Sequence, residues 1–331
     1  MTTYKEIFGK YVKNYSSDPT ADIEGQIWYN TTSGTFKSQV LVADAWAAGG
    51  NLVSAQRAFA GAGTQTAGLG FGGYRNGEAN QNVTQEYDGS TWGPGGNLNT
   101  ARRFLGGAGT QTAGLAFGGN GDPITTATEE YNGSTWTNNP TGLGTASYQL
   151  AGAGIQTAAL VFGGFVFSPT NAVIAITQEY DGATWTSGGN LNTARSGLAG
   201  CGTQTAGLAF GGGTYVGGRP LDAEEYDGST WTVGGNLNNG RQTLAGAGIQ
   251  TLALAFGGGD PPTGSNKTES YNGTSWTNTA NMATARGALA GAGTQPAGLA
   301  FGGGPGPSAG NSAATEEFTG AALTVKTITT S

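Results

Sequence analysis

The chain repeats one short unit six times, and this repeat constrains the fold more than any other feature of the sequence. The tripeptide Phe-Gly-Gly recurs every 45 to 48 residues, beginning at Phe71, Phe117, Phe162, Phe210, Phe256 and Phe301. Each copy ends a stretch such as "GAGTQTAGLAFGG", Gly107 to Gly119, which has almost no side-chain volume. A period of this length predicts structural units that bury a core only by packing against their neighbours.

Within each unit, short apolar runs alternate with turn residues. The second unit reads "RRFLGGAG", "TQT", "AGLAFGG", a loop, "TATEEY", "NGS" and "TWT". Runs of about four to seven residues between turns are typical of strands, and Asn132-Gly133 is the kind of pair that closes a two-residue hairpin. We therefore expect an all-β chain in which each unit is a four-stranded antiparallel meander.

The residue pattern of the unit resembles the kelch motif. Paired glycines follow an apolar strand, then come a Tyr with Asp or Asn and Gly, and then a Trp, in a unit of kelch length. The resemblance covers about residues 44 to 320 and implies a six-bladed kelch-type β-propeller. Because blades converge on a central axis, the inner strands must be thin, whereas Tyr131 and Trp136 belong where neighbouring sheets diverge.

The chain start supplies a strand that could close such a ring. "WAAGGNL" from Trp46 matches "WTVGGNL" from Trp231, so the segment near 38–46 is expected to be a fourth strand for the sixth unit. The run Leu323 to Ile328 competes for the same edge. The predicted domains are an attachment segment, 1–40, and a propeller, 41–331.

The first forty residues do not fit the repeat. Ile27 to Asn30 and Thr35 to Lys37 predict a short hairpin around "TTSG". The stretch resembles the "GxIWYNTTSGxFK" hairpins near the starts of tailed-phage virion proteins, particularly fibres and other appendages. That resemblance implies that Trp28 and Tyr29 anchor the chain on another virion subunit, the alternative being packing against the side of the propeller.

One face of the expected propeller differs from unit to unit. The turns "GTQT" and "YDGSTW" are nearly uniform, whereas the loops after Phe-Gly-Gly vary from 9 to 13 residues and diverge in content. Binding residues usually lie in such loops on a rigid frame. The candidate ligand-binding residues in these loops are Tyr74, Arg75, Phe165, Phe167, Tyr215 and Arg219, with the aromatic rings as candidates for sugar stacking or for loop packing.

Four arginines begin the first strands on the same face. Arg102, Arg195, Arg241 and Arg286 occupy one register, where the other units have Gln56 and Ser147. In kelch adaptors arginines at a similar place receive acidic peptides, and "ARSGLAG" at Ala194 to Gly200 resembles them. The alternative is that each stem packs on its blade while the guanidinium bonds to local carbonyls.

Composition excludes several classes of function. The chain has no histidine and one cysteine, Cys201, so His-dependent catalysis, His-bearing zinc sites and an internal disulfide are ruled out. No phosphate-binding loop appears, and a formal charge of −7 disfavours nucleic acid and anionic membranes. We expect no enzyme, no cofactor, no metal and no membrane insertion. The first residues contain no apolar run, which favours folding in a cytoplasm.

These observations predict a phage virion structural protein, a tail fibre or appendage subunit assembled in the host cytoplasm. Its partners are other tail subunits, bound through residues 1–40, and a host-surface glycan or protein, bound by the variable loops. A capsid or neck decoration protein would have the same features. The alternative from another class is an intracellular kelch module that holds an acidic protein partner.

Overall fold

A computed structural model describes residues 12–19, 25–75, 79–167, 171–214, 217–260, 263–305 and 310–328. These residues form two compact units, one from Met1–Ala45 with Gly320–Ser331 and the other from Trp46–Thr319. The described residues are all β and contain no helix, and therefore none that could cross a membrane. The expected all-β class is confirmed. The residues from Gly320 onward, which lie within the predicted 41–331 domain, group with the chain start.

The smaller unit contains one four-stranded sheet. Its strands are β1 (Lys13–Tyr15), β2 (Ile27–Asn30), β3 (Thr35–Val42) and β32 (Ala322–Thr327), in that spatial order. β2 and β3 are antiparallel, with Asn30 opposite Thr35, and β1 runs parallel to β2. β3 is longer than the predicted Thr35 to Lys37 because its second half pairs with β32.

The larger unit contains six four-stranded antiparallel sheets among its described residues. Sheets 1 to 5 each use one repeat unit, with strands in chain order, and the sixth takes its fourth strand from residues before the first repeat. Sheet 1 has β5 (Ala60–Thr64), β6 (Ala67–Phe71), β7 (Thr84–Tyr87) and β8 (Trp92–Pro94). Sheet 2 has β9 (Gly106–Gly109), β10 (Gly114–Phe117), β11 (Thr128–Tyr131) and β12 (Trp136–Asn139).

The remaining sheets repeat this arrangement. Sheet 3 has β13 (Ala151–Ile155), β14 (Ala158–Phe162), β17 (Thr177–Tyr180) and β18 (Trp185–Ser187). Sheet 4 has β19 (Ala199–Thr203), β20 (Ala206–Phe210), β21 (Asp222–Tyr226) and β22 (Trp231–Asn236). Sheet 5 has β23 (Ala245–Ile249), β24 (Leu252–Phe256), β27 (Thr268–Tyr271) and β28 (Trp276–Asn278). Two small hairpins lie in the loops, β15 (Phe165–Val166) with β16 (Ala172–Val173) and β25 (Gly259–Asp260) with β26 (Thr263–Gly264).

Sheet 6 consists of β29 (Ala290–Gly293), β30 (Ala297–Phe301), β31 (Thr315–Thr319) and β4 (Ala45–Ala48). The chain start therefore supplies its fourth strand, and the C-terminal competitor lies in the smaller unit as β32. The expected bounds near 38–46 were wrong, because residues 35–42 are β3. The Trp46 indole contacts the rings of Phe256 and Phe318 and donates to Thr268 Oγ1 at 3.0 Å.

The core lies between neighbouring sheets. In each of the six interfaces a fourth-strand Trp packs on the Phe of the preceding sheet's Phe-Gly-Gly, at centroid distances of 4.7 to 5.2 Å. One of these joins Trp92 of sheet 1 to Phe301 of sheet 6, and β29 also contacts β5. The neighbour relation therefore closes on itself, an arrangement consistent with a β-propeller.

The first strands are thin because neighbouring sheets approach closely there. A Cβ built at Gly107 would lie 2.7 Å from Cζ of Phe71, and one at Gly152 would lie 2.5 Å from Cζ of Phe117. No side chain fits at such distances, so the glycines of the repeated stretch make room for the preceding sheet's Phe.

The turns between third and fourth strands differ from the prediction. The pattern predicts a two-residue Asn-Gly loop, but β11 ends at Tyr131 and β12 begins at Trp136, so four residues lie between the strands. Asn132 Oδ1 accepts hydrogen bonds from the amides of Ser134 and Thr135, at 3.0 and 2.9 Å. The side chain thus organises an Asx turn, which a short Asn-Gly loop would not contain.

Candidate ligand-binding site

The four arginines of the shared register are buried. Arg102, Arg195 and Arg286 are 0% exposed and Arg241 is 2% exposed. Each guanidinium pairs with a buried glutamate of its own sheet, at 3.2 Å for Arg102 with Glu129 and at 2.7 Å for Arg286 with Glu316; the other pairs are Arg195 with Glu224 and Arg241 with Glu269. Arg286 also donates to the carbonyls of Gly302 and Ala314, at 2.8 and 2.7 Å. The four arginines therefore have the structural role given above as the alternative, in which each side chain packs and bonds within its own sheet.

The sequence itself indicates these pairs. Sheets with an arginine have glutamate two residues before the aromatic residue of the third strand, whereas the sheets with Gln56 and Ser147 have the amides Gln85 and Gln178. The acid therefore appears only where a cation needs it, as expected of a buried ion pair. In every sheet the side chain also accepts a backbone N–H from the preceding connection, such as Asn99 N at 2.6 Å from Glu129.

A closed ring of backbone hydrogen bonds lies two residues after the arginine register. Its members each donate an N–H to the carbonyl of the preceding member over 2.6 to 2.9 Å, and the first donates to the last. They are Ala58, Phe104, Gln149, Gly197, Thr243 and Ala288. All six have φ between 51° and 61°, the left-handed region that non-glycine residues rarely occupy, and five of the six are not glycine. The ring fixes the starts of the six first strands relative to one another.

A cavity of about 420 Å³ lies against this ring. Its wall is formed where the residues that precede the first strands meet the residues that follow the second strands, which is the side of the variable loops. The described lining includes Arg57, Arg103, Gln149 and Gln242, and it contains no carboxylate. A smaller cavity of about 90 Å³ lies further along the first strands and is lined mainly by apolar side chains.

Two arginines of this cavity lie one residue after the predicted register. Arg57 Cζ is 5.5 Å and Arg103 Cζ is 5.1 Å from the centroid of the Tyr74 ring. The one-residue shift decides their exposure, since successive side chains of an extended segment point to opposite sides. The sequence could have identified this position because its residue type differs between most of the units, unlike the buried register before it. In the six units it is Arg57, Arg103, Tyr148, Ser196, Gln242 and Gly287.

The backbone around this pair is fixed. Arg57 and Tyr74 exchange two backbone hydrogen bonds, of 3.2 and 2.9 Å, and Arg103 exchanges two with Asn120, of 3.1 and 2.8 Å. The carbonyl of Tyr74 also accepts the Asn311 side-chain amide at 3.0 Å. The guanidinium groups therefore project from anchored positions, which lowers the entropy lost when they bind a ligand.

Aromatic side chains form a cluster beside the cavity. Tyr148 lies 5.1 Å from Phe167, 5.6 Å from Phe165 and 6.2 Å from Phe104, which lines the cavity. Burial raises the pKa of Tyr148, and the positive charge of Arg103 partly offsets this. Phe167 remains 48% exposed. The structure thus brings the predicted Phe165 and Phe167 together with two rings that sequence reasoning missed.

The other predicted loop residues are placed differently. Tyr74 lines the cavity, while Arg75 and Arg219 are half-buried and lie outside its described lining. Tyr215 falls outside the described residues. Of the ten ligand-binding candidates, the described cavity and its adjoining aromatic cluster contain three, namely Tyr74, Phe165 and Phe167.

In the smaller unit, Trp28 is fully buried. Its indole N–H donates to Asp18 Oδ1 at 3.1 Å, and Asn30 and Lys37 bind the same carboxylate. These contacts lower the pKa of Asp18, with the hydrogen bond from Asn30 as the largest cause. Trp28 therefore packs in the interior of this unit, while Tyr29 is half-buried and its ring centroid lies 5.1 Å from that of Phe36 in a tilted arrangement.

The described residues offer no group of three or more His, Cys, Asp or Glu side chains that could hold a metal ion. Cys201 is buried, and burial raises the pKa of its thiol to about 12, so the nucleophilic thiolate is not formed at neutral pH. The described lining residues of the cavity include no paired acid and base. The arrangement can bind a ligand by charge and by stacking on aromatic rings.

Comparison with known proteins gives no family assignment. The chain matches no protein-family model, and no curated protein is significantly similar to it. The kelch and phage resemblances therefore rest on the residues quoted above, and what they imply is proposed rather than shown.

Proposed function

We propose that this chain is a six-bladed β-propeller of the kelch type, carried on a phage particle as a tail fibre or appendage subunit that binds a host-surface glycan. The observation that carries the proposal is the cavity on the variable-loop side, with its arginines and the aromatic cluster beside it. Its volume lies in the range of small-molecule sites, of about 300 to 1,000 Å³.

The six sheets and their closed neighbour relation support the propeller assignment. Residues of the variable loops of units 1, 5 and 6 line the cavity, whereas the uniform "GTQT" turns have a packing role. Gln111 in one such turn donates to the carbonyls of Gly68 and Tyr87 in the preceding sheet, at 3.0 and 2.7 Å. The turn sequence is therefore uniform where it joins neighbouring sheets, whereas the loops on the variable side are free to differ and to bind a ligand.

The smaller unit supplies the attachment role in this proposal. Its sheet exposes apolar side chains, Ile27, Leu41, Val42, Val325 and Ile328. Exposed apolar residues concentrated in one small unit are typical of a surface that contacts another protein. Because Trp28 is buried, the contact with the partner is made by these exposed residues and not by Trp28. The resemblance of the hairpin to those of virion proteins supports a neighbouring virion subunit as the partner.

The alternative of an acidic protein partner loses its sequence argument. It required the four arginines of the shared register to reach solvent, and each one is occupied by a buried glutamate.

The test separates attachment from recognition. A variant lacking residues 1–44 and 321–331 retains β4 and should fold, yet it should fail to enter particles and should still bind host cells as free protein. The full-length variant Arg103→Gln should enter particles normally and adsorb poorly. Normal incorporation of the truncated variant would refute the attachment role, and an antibody label on purified particles would distinguish a tail from a capsid or neck position.

A further inference from the structure

The lining of the main cavity is cationic in a chain that is acidic overall. The formal charge of the chain is −7, yet the described lining contains two guanidinium groups and no carboxylate. Arg103 makes no ion pair among the described residues and is held instead against the Tyr74 ring. A partly desolvated arginine next to an aromatic face retains donors for a carboxylate, which guanidinium binds in a bidentate way.

The wall next to Arg103 is aromatic. The ring cluster of Phe104, Tyr148, Phe165 and Phe167 begins at the cavity lining and ends at a ring that is half exposed. The C–H groups of a pyranose carry partial positive charge and stack on the negative faces of such rings. Gln149, Gln242 and Thr243 add amide and hydroxyl groups that hydrogen-bond to hydroxyls.

The concave shape favours a small ligand over a folded partner. Stable protein partners bury about 800 Å² on each side across broad, mostly flat surfaces, whereas a saccharide of one to three rings fits a cavity of this volume. An uncharged saccharide would leave the Arg103 guanidinium, which has no ion pair among the described residues, without an anion in a partly dry site, which is unfavourable.

We propose that this cavity binds an acidic saccharide, with the sugar carboxylate directed to Arg103 and a ring face of the sugar on the Tyr148 and Phe167 cluster. The inference rests on the proposed function and narrows it from glycans in general to carboxylated ones.

The test uses matched pairs of probes. Trisaccharides ending in glucuronate, galacturonate or N-acetylneuraminate are each compared with their methyl esters, which keep the shape and remove the charge, by titration calorimetry on the full chain. At least one acid should bind about ten to a hundred times more tightly than its ester, as expected for hydrogen bonds to a charged group. Its affinity should fall as salt is raised from 0.05 to 0.5 M, about a threefold decrease in Debye length.

Variants then assign the contacts. Arg103→Gln should abolish the preference for the acid over the ester, while Phe167→Ala should weaken acid and ester alike. Lys267→Gln is the control, because it removes one positive charge from an exposed loop residue outside the lining and should change neither affinity. Thermal unfolding of each variant checks that it is folded.

Three results would overturn the inference: no acid form preferred by any tenfold margin, a preference that survives Arg103→Gln, or an equal loss with Lys267→Gln. These outcomes are separable from failure of the proposed function. If Arg103→Gln particles still lose adsorption to host cells while every acid binds no better than its ester, the glycan-binding role stands and the acidic ligand is excluded.

Discussion

At the scale of single residues, side chains that contact each other change together from one repeat to the next. Tyr hydroxyls of the third strands donate to a glutamate of the preceding sheet, as in Tyr271 to Glu225 Oε1 at 2.6 Å. Sheet 6 has Phe318 in place of the Tyr, and sheet 5 has Ser270 in place of the matching acid. Donor and acceptor are therefore lost together, as are the arginine and glutamate of the buried pairs. For the arginine pairs, the alternative is a buried carboxylate without a partner, which costs several kcal/mol.

One contact of this kind is incomplete. Five of the repeat tryptophans donate the indole N–H to a threonine of the preceding sheet, at 2.9 to 3.0 Å. The Trp276 indole N–H is buried and has no hydrogen-bond partner in the described part of the chain, because Ala223 occupies the threonine position in sheet 4. The missing acceptor leaves a desolvated donor in that interface.

We predict that Ala223→Thr stabilises the protein. The new hydroxyl should accept from Trp276 and raise the free energy of unfolding by about 1 kcal/mol, measured by urea denaturation. Ala223→Val is the matched control, since it adds a similar volume without a hydroxyl and should not stabilise. Equal effects of the two substitutions would show that packing, and not the hydrogen bond, is responsible.

At the scale of elements, two short strands that lie outside the repeats have different roles because they have different neighbours. β4 and β32 are both short strands from the ends of the chain, yet β4 completes sheet 6 while β32 pairs with β3. The difference lies in Trp46, which fills the position between Phe256 and Phe318 that a repeat Trp fills elsewhere. The C-terminal run offers Leu323 at the matching place and no indole donor.

Removing the closing contact should weaken the larger unit. Trp46→Ala is predicted to lower the free energy of unfolding by about 3 kcal/mol, the lower part of the range for Trp→Ala because this side chain is only partly buried. Intrinsic fluorescence and urea denaturation would measure it. In a chain that lacks residues 321–331, the free energy of unfolding of the larger unit should be unchanged. A loss of stability of that unit in the truncated chain would mean that β32 contributes to its closure.

At the scale of the whole molecule, the stability of the larger unit is shared among like interfaces. Its core consists of six layers between neighbouring sheets, and the tyrosine hydroxyls at five of them bind carboxylates. Burial, followed by the hydrogen bond to glutamate, raises the pKa of Tyr87, Tyr131, Tyr226 and Tyr271 to about 12. These interfaces therefore respond together to alkaline pH.

The stabilisation from each tyrosine should be lost in a defined pH range. Folding favours the neutral phenol, so the contribution is fully present below pH 10, the ordinary pKa, and disappears as the pH rises toward 12. The difference in unfolding free energy between the native chain and Tyr271→Phe should be constant up to about pH 9 and should shrink above pH 10. Phe318→Leu, which removes a ring without a hydroxyl, should give a difference independent of pH. A constant difference for Tyr271→Phe would contradict the prediction.

The candidate site shows where sequence reasoning ended. Comparison of the repeats predicts the variable-loop side and the residues Tyr74, Phe165 and Phe167. This is possible because differences among otherwise uniform units are visible in a single sequence. The choice of Arg102, Arg195, Arg241 and Arg286 failed to identify the cavity lining. The side to which an extended residue points depends on the strand register, and a shift of one residue exchanges buried and exposed positions.

The sequence by itself determined the all-β class, the number of repeats, the strand order within each unit and the need for glycine where sheets approach, because these depend on local spacing and side-chain volume. Only the tertiary structure decided which chain end closes sheet 6, that the C-terminal strand belongs with the chain start, and which arginines line the cavity. Those features depend on contacts between residues far apart in the chain, and their free energies are set by packing partners that local patterns do not specify.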